Sequence, residues 1–162
     1  MTTEITFRTL QESDAQEVYE AALESWNYTY HTIFDRQFIE DFVKTNYAPK
    51  ASVQLFPRIQ SGQQFFHVAV SESKVVGFCH IGITQQGVKL LRIYLRPAYI
   101  GKGIGRKLLS LGEAYIKSQG YDSYFCFVHP KNELGKKFYL KNGFSHIASK
   151  DQEGEWYMEK RL

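Results

Sequence analysis

The chain is short of the residues that staple a fold or anchor it elsewhere. Its only two cysteines, Cys79 and Cys126, stand in apolar, strand-like stretches. There they read as small buried hydrophobes. A metal site would need about four ligands at short spacing, and none is visible, so no metal is expected. No run of about 18 apolar residues occurs, which excludes a transmembrane helix. Met1-Thr2-Thr3-Glu4 lacks a basic segment followed by an apolar one. A signal peptide is therefore not expected, and a cytoplasmic location is. Repeats, low-complexity tracts and long linkers are also missing. The 162 residues suit one domain, 1–162. With 43% hydrophobic residues, that domain can bury a sizeable core.

Charge is nearly balanced overall, at +3, but not along the chain. Residues 1–45 hold nine acids and three bases; the remainder holds 17 bases and eight acids. Solvated helix faces account for most of these charges. The asymmetry also suits a basic half for an anionic cofactor and an acidic half for a cationic substrate. A continuous basic face with interleaved aromatics is not evident, so a nucleic-acid partner is not expected.

Periodicity predicts the elements. Alternation over 4–10 predicts a first strand. Ser13-Asp14-Ala15-Gln16 has the spacing of a capping box. The helix after it should run to about Trp26, with Val18, Ala21, Ala22 and Trp26 on one face. Asp35 should cap a second helix carrying Phe38, Ile39 and Phe42. A short helix fits 53–59, with Pro57 in its first turn or at its end. Strands are predicted over 65–70 and 75–84, joined by a turn at 71–74, and over 88–96. A helix over 103–118 should bury Leu108, Leu109, Gly112, Tyr115 and Ile116, and Gly120 should stop it. A strand over 121–128, a helix over 133–142 and strands over 144–149 and 155–161 complete the chain. The order predicts an α+β domain: a mixed, mostly antiparallel sheet, helices on both faces and one right-handed β-α-β crossover.

The most informative stretch runs from Leu90 to Leu109, where a strand enters a Gly-rich loop that opens a helix. Glycines there free the backbone, and a helix start offers unpaired N–H groups and a positive dipole end. Together these make a phosphate site, with charge added by Lys102, Arg106 and Lys107. Arg106 breaks both the P-loop pattern and the dinucleotide fingerprint. Downstream stand Asn132, Gly135, Phe138-Tyr139, Lys141 and Gly143-Phe144. The two segments resemble the GNAT superfamily of acetyltransferases. Its acetyl-CoA loop reads Q/R-x-x-G-x-G/A, and its later segment reads N-x-x-A/G-x-x-F-Y-x-K-x-G-F.

The resemblance implies a single GNAT-like domain with a central β-α-β acetyl-CoA-binding unit. It implies that the backbone of Ile93, Tyr94 and Leu95 pairs with the pantetheine arm, and that an N–H near Leu95 stabilises a tetrahedral oxyanion. Ile100, Gly101, Lys102, Gly103, Ile104, Gly105 and Arg106 would hold the pyrophosphate, and Asn132 and Lys141 would add cofactor contacts. Tyr139 would protonate the departing thiolate. Two positions depart from the pattern: Ile100 replaces the Gln or Arg, and Lys89 stands where many relatives carry a Glu base. Glu24, Tyr28, Tyr30, His31 and His80 are candidates to assist deprotonation. The family's strand order sets one strand between those bearing Cys79 and Cys126. Two strand spacings are about 10 Å, beyond the roughly 7 Å a disulfide spans, so both thiols should be free.

Trp26-Asn27-Tyr28-Thr29-Tyr30-His31-Thr32-Ile33-Phe34 resembles the PaiA-like polyamine acetyltransferases. That implies an acceptor wall of Glu24, Trp26, Tyr28 and Tyr30, with His80 facing the cleft, and a small cationic amine or polyamine as substrate. A protein N-terminus, a lysine, another small amine, or a non-catalytic acetyl-CoA-binding module are the alternatives. A membrane partner is not expected, and a homodimer is left open.

Overall fold

The computed structural model describes residues 4–162. Residues 1–3, on which the reading of no signal peptide partly rested, lie outside the described residues. Strands β1 (Ile5–Thr9), β2 (Gln64–Ser71), β3 (Lys74–Thr84) and β4 (Gly87–Leu95) form an antiparallel meander. Helix α5 (Ile104–Ser118) then crosses to β5 (Ser123–Val128), which is parallel to β4. After α6 (Glu133–Lys141), the short β6 (Ser145–His146) and β7 (Trp156–Arg161) close the sheet. The strand order is β1-β2-β3-β4-β5-β7-β6. Among the described residues no helix is long and apolar enough to cross a membrane.

Each face of the sheet has its own core. On one, α1 (Ala15–Tyr30) and α2 (Arg36–Tyr47) set Val18, Ala22, Ile39 and Val43 against Phe66, Val68 and Phe78. On the other, Leu108 and Ile116 of α5 meet Ile81, Tyr124 and Met158. Strand β3 is covered on both faces, which is why Val75–Ile81 reads as an unbroken apolar run with one histidine. Helix α5 approaches it closely at Gly112, where a Cβ would lie 2.4 Å from Ile81 Cδ1. Cys79 on β3 and Cys126 on β5 are buried free thiols with β4 between them, as expected.

Several expectations are corrected in detail. Ser13 does not cap α1. The Asp14 carboxylate accepts the Gln11 N–H at 2.7 Å and a two-pronged contact from Arg8 at 2.7 and 2.9 Å, so the chain enters the helix through Asp14. Helix α1 also runs one turn past Trp26, because Tyr30 buries its ring against the Trp26 ring, 4.3 Å between centroids. The one short helix near Pro57 is two, α3 (Pro49–Val53) and α4 (Phe56–Gln60), with Pro57 in the first turn of α4. Strand β6 stops at His146, where Asp151 accepts from both the His146 ring and Tyr157 N and turns the chain. As expected, Asp35 caps α2 by accepting from Phe38 N at 2.8 Å.

His80 sits in the interior of this frame, 3% exposed and stacked on Phe66. Its Nε2 meets Gln64 Oε1 at 2.7 Å, and Nδ1 has no partner among the described residues. Burial, aided by Arg92 across the strand pair, pushes its pKa down to about 3. The unfolded chain takes up a proton near pH 6.5; the folded one does not. Stability from this residue is therefore complete above about pH 6.5 and is lost as pH falls toward 3. Between pH 6.5 and 5 the loss should be about 2 kcal/mol. Urea unfolding of the wild type and His80→Phe at both pH values checks it. An equal pH dependence in the two proteins would remove His80 from the account.

Candidate active site

Strands β4 and β5 share a single paired position, Lys89 with Phe125. Beyond it they part, and the edge of β4 from Leu90 to Leu95 turns toward a cleft of about 840 Å³. The chain then folds a short turn at Pro97–Tyr99 and enters α5 through Gly103. Gly101 and Gly103 both have φ of +81°, a conformation that disfavours any side chain. Gly103 is the N-cap of α5 and contributes no side-chain cap, so the first-turn N–H groups stay free for an anion. Gly105 lets α6 come close: a Cβ there would lie 2.9 Å from the Phe138 ring.

The far wall is α6. Asn132 caps it, accepting from Gly135 N at 2.8 Å and donating to the Tyr30 hydroxyl at 3.1 Å. One amide thus joins α6 to α1 across the mouth of the cleft. Tyr139 projects from the next turns, packed against Phe138 and Phe144. Burial raises its pKa well above the ordinary phenol value, so it stays protonated. The same cause raises Tyr30, Tyr94 and Cys126. At the outer end, Lys141 and Arg106 line the cleft beside Lys160, which pairs with Glu113 at 2.7 Å.

The cleft therefore gathers Ile93, Tyr94, Leu95, Ile100, Gly101, Gly103, Gly105, Arg106, Asn132, Tyr139, Lys141 and Tyr30. Other expected residues stand elsewhere. Ile104 is buried in the core, and Lys102 is exposed with its ammonium over the Tyr99 ring. Glu24 is held by Arg96 at 2.7 Å, Trp26 is buried between helix and sheet, and Tyr28 points to solvent. His80 keeps to Gln64 and is not on the lining. Lys89, at the position of the missing Glu, places its ammonium over the Phe127 ring. Sequence reasoning missed Ser25 and Thr29, which also line the cleft. Their own i,i+4 spacing on one helix was the available signal.

A free main-chain strand edge, a helix start with unpaired N–H groups and a buried phenol line one cleft, an arrangement that suits an acyltransferase taking its acyl group from a nucleotide thioester. The comparisons with known proteins agree. The model of the acetyltransferase (GNAT) family matches residues 15–144. The chain is 33% identical over 159 residues, 97% of each sequence, to the spermidine N(1)-acetyltransferase of Thermoplasma acidophilum. Its fold matches the crystal structure of the PaiA N-acetyltransferase of Thermoplasma acidophilum in complex with coenzyme A, with a TM-score of 0.92 at 32% identity, over 98% of this chain and 99% of that one. A GNAT-family acetyltransferase from Staphylococcus aureus shares the fold at 18% identity, with a TM-score of 0.73 over 98% and 99% of the two chains. The chain belongs to the GNAT acetyltransferase family and is an acetyl-CoA-dependent N-acetyltransferase.

Proposed function

We propose that the acceptor is a small polycationic amine of the linear polyamine class. The observation that carries this is the ring ladder beside the cleft. Tyr30 lines the cleft, the buried Trp26 backs it, and Phe34 and Phe38 continue from it through the α1–α2 turn into α2, with centroids 4.3 to 5.6 Å apart. The ladder belongs to the acidic segment 1–45. Aromatic faces suit methylenes and cations together, and carboxylates nearby attract the charges. The Thermoplasma relative named for spermidine supports the same acceptor. Cys79 and Cys126 as free thiols suit a reducing compartment, and the cytoplasm is the location we assign.

The roles we assign to the residues of the cleft are these. Acetyl-CoA supplies the activated acetyl group. The parted edge of β4 would align it, the Leu95 N–H would stabilise charge on the reacting carbonyl, and the amides from Gly101 to Arg106 would hold the anionic end. Asn132 fixes both α6 and Tyr30. Tyr139 holds a proton at Oη for the leaving sulfur. With Lys89 turned onto Phe127, β4 offers no carboxylate base, and the amine loses its proton toward the open mouth.

The test is an amine panel with acetyl-CoA, followed by thiol release. Spermidine or spermine should show a higher kcat/KM than a neutral-tailed amine of equal length. The preference should shrink with salt, because exposed charges are screened over about 8 Å at physiological ionic strength. Polyamines ranking below peptides or neutral amines at low salt would reject this acceptor class and leave the acetyltransferase standing.

A further inference from the structure

Most carboxylates near the site are already engaged. Glu24 is on Arg96, Glu113 on Lys160, Glu133 on Lys136, and Glu17 on Val75 N. Glu155 is not: among the described residues its carboxylate has neither an ion pair nor a hydrogen bond, although the residue is half-buried. Its main chain is fixed, exchanging two hydrogen bonds with Gln152 at 3.2 and 2.8 Å. The register that pairs Val128 with Trp156 sets Glu155 beside His129, where β5 ends and the cleft mouth begins.

Side chains alternate along a strand. Trp156 leaves β7 toward the α5 side, and Tyr157 toward Phe125 and Phe127. Glu155 thus leaves on the face of Tyr157, the one that carries Tyr94 and α1. The hydroxyl-bearing rings of Tyr30 and Tyr94 belong to that face, and both residues line the cleft. Their hydroxyl oxygens already accept hydrogen bonds, Tyr30 from Asn132 and Tyr94 from Tyr47. Beside them the His129 ring stands edge-on to Tyr30 and Phe34. A half-buried carboxylate without a cation, two phenol oxygens and a ring wall make a receptor for one positive charge.

We infer that Glu155 binds a second, non-reacting ammonium group of the acceptor, and so sets the preference for polyamines over monoamines. This rests on the polyamine reading. The position favours the tail over the reacting nitrogen. Glu155 stands at the start of β7, two strand spacings or about 10 Å across the sheet from β4, whereas the reacting nitrogen must approach Leu95 on β4. A few methylenes span such an offset.

The experiment compares wild type, Glu155→Gln and Glu155→Asp with spermidine and with a neutral-tailed primary amine of equal length. The Gln variant should raise KM for spermidine about tenfold or more, as expected for a lost charge-assisted contact. Its kcat should stay within about twofold. Its KM for the neutral-tailed amine and its affinity for acetyl-CoA should not change, and the Asp variant should keep part of the preference. An unchanged spermidine KM, or an equal loss with both amines, overturns the role of Glu155 while the wild type still prefers spermidine. A wild type that shows no such preference overturns the polyamine reading, and this inference with it.

Discussion

Tyr139→Phe should lower turnover by about 10²- to 10⁴-fold, the usual worth of a positioned general acid. The substitution removes one hydroxyl and almost no volume, so the packing on Phe138 and Phe144 is kept. Acetyl-CoA affinity should hardly move, because the proposed cradle is made by β4 and the loop before α5. Burial holds the phenol protonated throughout the useful pH range, so the loss should be equally deep at pH 7 and pH 9. Single-turnover rates and calorimetric binding separate the two effects. Turnover within about threefold of wild type would pass the proton to water or another group.

Arg96→Met should cost about 2–4 kcal/mol of stability, the sum expected for several hydrogen bonds to a charged group in a partly screened site. Arg96 is 9% exposed, so its groups are deprived of water unless the protein satisfies them. Its Nε donates to Val75 O at 2.7 Å and its Nη1 to Glu24 at 2.7 Å, with Glu17 O and Glu20 further off. The guanidinium thereby clamps α1 to the end of β3. Met fills a similar volume but leaves the Val75 carbonyl without that donor. Lys should not rescue it, since one ammonium cannot reproduce the fork. Urea unfolding gives the number, and a loss below about 1 kcal/mol would make the clamp incidental.

The same arginine explains one limit of reading the sequence. Glu24 stands in an acidic, aromatic stretch and looked like an acceptor contact. Its true partner lies 72 residues downstream, a pairing that no local pattern contains. Tyr28 and His80 were misdirected for related reasons. Helix rotation turns Tyr28 outward, and the register of β2 and β3 gives His80 to Gln64. Glu155 was passed over because Asp151-Gln152-Glu153-Gly154 reads as a turn, and only the β5–β7 register sets it beside His129. By contrast, β2, β3, β4, α5 and α6 were legible nearly to the residue. Period-two and helical stripes coincide there with Gly and Asn punctuation. The loop before α5 was legible because its chemistry is local: glycines, a helix start and adjacent bases occupy a few consecutive positions.

The parting of β4 from β5 belongs to neither category, and it bears on how the protein can change over time. The recognition surface proposed for it is main chain, which every residue type except proline supplies alike. Substitutions at Ile93 or Leu95 that keep the strand therefore keep the docking edge, whatever side chain arrives. What cannot drift is the point of divergence, since another paired position would zip the opening shut. Selection should consequently act on the geometry around Lys89 and Phe125, and on the glycines that admit α5 and α6, more strongly than on the residues that touch the ligand most.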